Sequence, residues 1–190
     1  PAFLVDNMGD KRYILAKLLS GNRKNSRMDI ETYVQRHYLE QILEAANQRF
    51  QDMSAGQFEL RMCDIDKAGT GKNRGLDLMV YSAVTGKVRE VRTLSGGESF
   101  MAALSLALGM ADQIQESSAA INLDMMFIDE GFGSLDEHSR DQAVKVLQNM
   151  AEGEKLIGII SHVTELKQEI EDQLIVTKDD QGSHTRWQIS

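Results

Sequence analysis

A single cysteine, Cys63, stands in a chain of 190 residues, so no internal disulfide can form and a reducing compartment is expected. Cys63 itself reads as a small, half-buried residue near a strand. Long apolar runs are missing too. The longest, Met101 to Ala111, is interrupted by Ser105 and Gly109 and falls well short of the ~20 residues of a membrane span. The opening Pro1-Ala2-Phe3-Leu4-Val5-Asp6 has neither a basic start nor a long apolar stretch, so no signal peptide is expected. The third absence is a phosphate-cradling loop of the pattern G-x-x-x-x-G-K-[ST]. Its nearest likeness, Gly69-Thr70-Gly71-Lys72-Asn73, would need glycine where Asp66 stands and serine or threonine where Asn73 stands. It also lies between expected strands instead of ahead of a helix, and reads as a turn. A cytoplasmic protein with no membrane association is expected.

What is present is enough apolar material for one core, 42% of the residues, in a chain of single-domain size. The charge is divided. Residues 1–28 carry six basic and two acidic side chains, a net of +4, and the rest carries 15 basic and 27 acidic, a net of −12. An acidic body repels nucleic acid, so DNA binding would need a local basic strip or a partner. The basic segment by itself reads as a solvated helix face.

Residues 12–19 read as a helix end stopped by Ser20-Gly21-Asn22. Asp29 is an expected N-cap for a helix to about Met53, with Ile30, Val34, Tyr38, Ile42, Ala46 and Arg49/Phe50 as its apolar stripe. After Gly56, residues 57–65 read as a strand with Phe58, Leu60 and Met62 on one face, followed by a polar turn over 66–74. A hairpin is expected from Leu76–Ser82 and Lys87–Val91 around Ala83-Val84-Thr85-Gly86. Residues 98–115 read as a helix and Leu123 to Ile128 as a strand buried on both faces. A helix over about 136–152 follows, with Ser134 and Glu137 at capping-box spacing. Leu156–Ile160 reads as a central parallel strand, residues 164–171 as a short helix, and Leu174–Lys178 with Thr185–Ile189 as a closing hairpin. Strand, helix, strand from residue 123 onward implies parallel pairing. The fold class is α/β.

Three short strings carry chemistry. Asp129-Glu130 ends a strand, where ligands of α/β folds sit. One acid there could hold Mg²⁺ and the other orient or deprotonate a water for phosphoryl transfer. Ser95-Gly96-Gly97-Glu98 opens a helix; its glycines admit a phosphate close to the backbone, and the helix N-terminus offers unpaired amides. Ser161-His162 follows a strand, and the imidazole could donate to a terminal phosphate. Each string alone has an ordinary reading: a strand running into a loop, a loop-to-helix junction, a solvated histidine. His37, His138 and His184 lack any such context. The order and spacing from Leu94 to His162 raise the combined weight of the three.

That order resembles the ABC ATPase superfamily: a signature loop at Leu94-Ser95-Gly96-Gly97-Glu98-Ser99-Phe100, then Walker B and D-loop in Asp129-Glu130-Gly131-Phe132-Gly133-Ser134-Leu135-Asp136, then a switch histidine, His162. ABC transporter domains have glutamine as the fifth signature residue and a proline soon after the Walker B glutamate, where this chain has Glu98 and Gly131-Phe132. Condensin-like SMC proteins share the glutamate but differ after Walker B. The combination is similar to the SbcC family, large subunits of bacterial SbcCD nucleases. Tyr33-Val34, Ala46-Asn47, Met53-Ser54-Ala55-Gly56, Gly75-Leu76-Asp77-Leu78 and Thr85-Gly86 agree with that family as well. The resemblance implies that residues 29–190 are the C-terminal lobe of an ATPase head and residues 1–28 the end of a returning coiled coil. An N-terminal lobe of the same protein would supply the P-loop. It further implies ATP and Mg²⁺ as cofactors, with Asp129 at the metal and Glu130 and His162 catalytic. Leu94, Ser95, Gly96, Gly97 and Glu98 would lie on the ATP of a second identical head, with Asp136 coupling the two sites. A nuclease subunit of the SbcD type and double-stranded DNA are the implied partners. An SMC-like chromosome protein or an energy-coupling subunit of a transporter is the alternative.

Overall fold

The computed structural model describes residues 30–64, 75–117, 123–151 and 155–189. The expected helix over 12–19 with its stop, the Asp29 cap, the coiled-coil end over 1–28, Ile65 and the turn over 66–74 lie outside the described residues. Helix α1 (Ile30–Met53) precedes an antiparallel sheet of three strands in the order β1 (Phe58–Met62), β2 (Leu78–Ser82) and β3 (Lys87–Glu90). A 3-10 turn over Val91–Thr93 leads into α2 (Gly96–Ser117). Strand β4 (Met125–Asp129), a 3-10 turn over Phe132–Ser134 and α3 (Glu137–Ala151) lead to β5 (Leu156–Ile160). A four-residue helix, α4 (Leu166–Glu169), and the hairpin of β6 (Gln173–Asp179) and β7 (Gly182–Gln188) close the chain. β4 and β5 are parallel, running from Met125 opposite Leu156 to Asp129 opposite Ile160. Among the described residues no helix is long and apolar enough to cross a membrane.

The core gathers α1, α2 and α3 around the first sheet and the inner face of the parallel pair, with Phe50, Leu60, Val80, Leu108 and Phe132 almost completely enclosed. The buried face of α1 matches the expected one at Ala46 and Phe50 but departs from it in the first half of the helix. Leu39, Leu43, Ala46, Phe50 and Met53 face the core, whereas Ile30, Val34 and Tyr38 stay 44–49% exposed. The physical reason is angular. Steps of four residues drift by roughly 40° each on a helix of 3.6 residues per turn, whereas alternating steps of four and three hold one face inward. α1 ends where Ala55 enters the left-handed region at φ 50°, followed by Gly56 at φ 73°, and the Gly56 amide donates to the Gln51 carbonyl at 2.7 Å. That is a Schellman stop beginning one residue before the glycine.

The expectation that β4 is buried on both faces is also corrected. Paired residues of a parallel sheet share a face. Met126, Ile128, Ile157 and Ile159 point into the core. Met125, Phe127, Leu156 and Ile160 lie on the other face, 55–64% exposed. Nothing among the described residues covers that face. The expected cap of α3 changes as well: Ser134 donates its hydroxyl to the Gly131 carbonyl at 2.7 Å. The cap is Asp136, whose Oδ1 accepts the Ser139 amide at 3.0 Å and whose Oδ2 accepts the Ser139 hydroxyl at 2.8 Å.

Candidate functional site

The carboxyl ends of β4 and β5 bring two of the sequence-singled strings together. Register places Asp129 opposite Ile160, and the Glu130 amide continues the ladder by donating to the Ile160 carbonyl at 2.8 Å. The chain then turns sharply. Glu130 has φ 58° and Gly131 φ 98°, a conformation that costs a non-glycine residue about 1–2 kcal/mol. The turn exposes both strand-end acids and aims Glu130 across the sheet end. Nδ1 of His162, just past β5, lies 2.8 Å from Oε2 and 3.0 Å from Oε1 of Glu130. A carboxylate only accepts, so the contact needs the hydrogen on Nδ1 and leaves Nε2 for another partner. Both side chains remain half or more exposed, so the pair is open to a ligand.

The signature string forms a reciprocal N-cap. Ser95 Oγ accepts the Glu98 amide at 3.2 Å, and Glu98 Oε2 accepts the Ser95 amide at 2.8 Å. This is the capping box S-x-x-E, and it stands at 95–98 and not at the matching spacing of Ser134 and Glu137. α2 therefore begins at Gly96, two residues earlier than expected. The glycines are unequal. A Cβ on Gly97 would meet the Ser134 carbonyl oxygen at 2.8 Å and the Leu135 side chain at 3.3 Å, whereas one on Gly96 would meet only Ser134 Cβ at an ordinary 3.6 Å. Gly97 therefore seats α2 closely on the turn at Ser134 and Leu135, whereas Gly96 has room for a side-chain carbon. Leu94 is partly buried and packs against the core, which anchors the start of the loop.

The two halves of the site are joined within the chain. The Phe100 ring lies against Gly131, where a Cβ would overlap it, and packs edge-on against Phe132 with centroids 5.0 Å apart. Phe100 carries no sequence signal beyond its place in the signature string, and Arg89, whose guanidinium reaches Glu98 at 3.1 Å, carries none as a site residue. No periodicity marks a contact between a strand and the first turn of a helix nine residues later. Asp136 closes the D-loop, and the hydrogen bonds from Ser139 hold its carboxyl below the ordinary value of 3.8.

A divalent metal would find one carboxylate here, not a cage. Among the described residues no group of three or more His, Cys, Asp or Glu side chains could hold a metal. That donor set suits Mg²⁺, which keeps several waters and takes one or two carboxylates plus substrate phosphates. Asp129 is the exposed strand-end acid free for it, Glu130 being engaged by His162.

Comparison with known proteins agrees with these motifs. Residues 76–149 match the family model described as SbcC/RAD50-like, Walker B motif. The SbcC subunit of the SbcCD nuclease of Treponema pallidum is 47% identical over 92% of this chain and 16% of its own length. That of Vibrio cholerae is 45% identical over 88% of this chain and 16% of its own. The chain thus spans about one-sixth of the curated relatives it matches. The Smc head domain of Pyrococcus furiosus, bound to the C-terminal domain of ScpA, superposes with a TM-score of 0.59 at 17% identity, covering 82% of this chain and 36% of that one. The SMC head domain of Thermotoga maritima gives 0.53 at 17% identity, over 81% and 50%. These two establish a shared head fold and no more. Motif, fold and relatives coincide: over residues 76–149 the chain carries the SbcC/RAD50-like Walker B motif, and over about nine-tenths of its length it is similar to SbcC subunits.

Proposed function

We propose that this chain is the C-terminal half of an ATP-binding and ATP-hydrolysing head that dimerises on ATP and drives an SbcCD-type nuclease complex acting on double-stranded DNA in the cytoplasm. The observation that supports this reading is the Glu130–His162 pair at the ends of two parallel strands, with Asp129 beside it. In this reading Asp129 helps hold Mg²⁺, Glu130 orients or deprotonates the attacking water and His162 contacts the terminal phosphate. The N-terminal P-loop lobe of the same protein binds the ATP. Ser95, Gly96 and Gly97, framed by Leu94 and Glu98, contact the ATP of a second identical head, and Asp136 in the D-loop couples the two sites. An SbcD-type subunit supplies the nuclease, and residues 1–28 return from a coiled coil.

Glu130→Gln in the full-length protein tests it. The amide is nearly isosteric but a poor base, so nucleotide binding should persist while hydrolysis falls by about 10²–10⁴-fold. ATP-bound dimers should then accumulate in size-exclusion chromatography. Unchanged hydrolysis with only monomeric heads would remove Glu130 from the chemistry.

A further inference from the structure

We propose that Arg89 is the positioning residue of the signature loop: it holds Glu98 so that Ser95 presents its hydroxyl to the ATP of the opposing head. This rests on the assignment of the signature loop made above.

Strand β3 is mostly exposed, and Arg89 is its one half-buried residue. Its guanidinium carbon lies over the Phe58 ring, 5.6 Å from the ring centroid. From there the guanidinium forks. Nη2 donates to Glu98 Oε2 at 3.1 Å and Nη1 to the Thr93 carbonyl at 2.6 Å. Nη1 also lies 3.3 Å from Thr93 Oγ1, which itself donates to the Glu90 carbonyl at 2.6 Å. One planar group therefore ties the 3-10 turn at Thr93 to the first turn of α2 at Glu98. The same Glu98 oxygen that meets Arg89 accepts the Ser95 amide, and the Glu98 amide occupies a lone pair of Ser95 Oγ. Ser95 then has its backbone fixed and its hydroxyl proton still available to donate. The Arg89 and Glu98 side chains are 34% and 25% exposed, shielded enough for a charge-assisted bond to hold geometry. A lysine could not reproduce the fork, because an ammonium is a point charge without two divergent planar donors.

The test uses the full-length protein with its nuclease partner. Compared are Arg89→Ala, Arg89→Lys, Glu98→Gln, the Arg89→Ala/Glu98→Gln double variant, and Ser95→Arg. Measured are binding of a fluorescent ATP analogue to isolated heads, ATP-driven head closure by crosslinking, kcat and KM, and melting temperature. Arg89→Ala should leave nucleotide binding and melting temperature as in wild type but lower closure and kcat by about tenfold, the order expected of one charge-assisted hydrogen bond. Arg89→Lys should recover little, and the double variant should be no worse than Arg89→Ala. If Ser95→Arg blocks closure while Arg89→Ala closes and turns over like wild type, the Arg89 role is wrong and the signature assignment stands. If Ser95→Arg also closes normally, the signature assignment itself falls. Additive losses in the double variant, or a fall in melting temperature that parallels kcat, would make Arg89 a plain structural brace and overturn the proposal. Should Arg89→Ala fail to fold, Arg89→Lys and Glu98→Gln decide: wild-type kcat in both would overturn it.

Discussion

Glu130 carries its proposed role in a backbone conformation that favours glycine, with φ 58°. Strain of this kind concentrates where function over-determines geometry. Its exposed contact with His162 is the sort that contributes little to stability. Glu130→Gly should therefore abolish ATP turnover in the assembled head yet make this chain more stable, by about 0.5–1 kcal/mol, since releasing left-handed strain outweighs one surface pair. Thermal unfolding checks it: a lower melting temperature would mean that no strain is stored there. The signature glycines give a second residue-scale contrast. Gly97→Ala forces a methyl onto the Ser134 carbonyl and should destabilise the chain by about 1–3 kcal/mol. Gly96→Ala meets only ordinary contact, so its melting temperature should stay close to wild type while ATP-driven head closure suffers. Equal effects of the two on stability would erase the distinction. Asp136 supplies a pH dependence. Its folded pKa is depressed by the Ser139 hydrogen bonds, so its contribution is present above the ordinary aspartate range and is lost as pH falls through the lowered value. The melting-temperature gap between wild type and Asp136→Ala should accordingly be full at pH 7 and close in strong acid.

At the scale of elements, local rules account for most boundaries. The capping box at 95–98 starts α2, the Asp136 side chain starts α3, and a Schellman turn stops α1. The α1 stop uses an alanine, Ala55, at φ 50°, where glycine is the favoured residue. Ala55→Gly should stabilise the chain by about 0.5–1 kcal/mol, read as a higher denaturation midpoint with unchanged slope. A drop would show that Ala55 makes contacts outweighing its backbone. Elements misjudged from sequence were those whose local signal was ambiguous. Two faces of α1 carry apolar residues, and only packing against α2 and β1 selects Leu39, Leu43, Ala46, Phe50 and Met53. Residues 164–171 were expected to form a longer helix than the four residues of α4.

Across the whole molecule, two of the β pairs leave an apolar face uncovered: Met125, Phe127, Leu156 and Ile160 on the parallel pair, and Leu174, Val176 and Trp187 on the closing hairpin with Ile189 just beyond it. Contiguous exposed apolar surface of this kind marks contact with another part of an assembly. It fits a chain that spans about 16% of its relatives. The proposed head is therefore incomplete in this chain, which supplies a strand-end acid pair and a signature loop but no phosphate cradle. Catalysis of phosphoryl transfer is mostly positioning and electrostatics, so the isolated chain should hydrolyse ATP negligibly and adding the P-loop lobe should restore turnover. Robust hydrolysis by purified isolated chain, abolished by Glu130→Gln, would overturn this.

The sequence by itself determined the α/β class, the parallel pairing after residue 123 and the identity of the strand-end acids. Those features rest on local pattern: apolar runs, helix caps, and motifs whose residues are neighbours in the chain. It also held the capping box that turns Ser95 and Glu98 toward each other, since both partners lie within one helical turn. Tertiary structure alone decided that Glu130 meets His162 across 32 residues, that Gly97 and Phe100 serve the D-loop, and that Arg89 reaches back to the signature loop. These contacts join distant segments, and their geometry is fixed only when α1, α2, α3 and the sheets close on one core and bring those segments within hydrogen-bond reach.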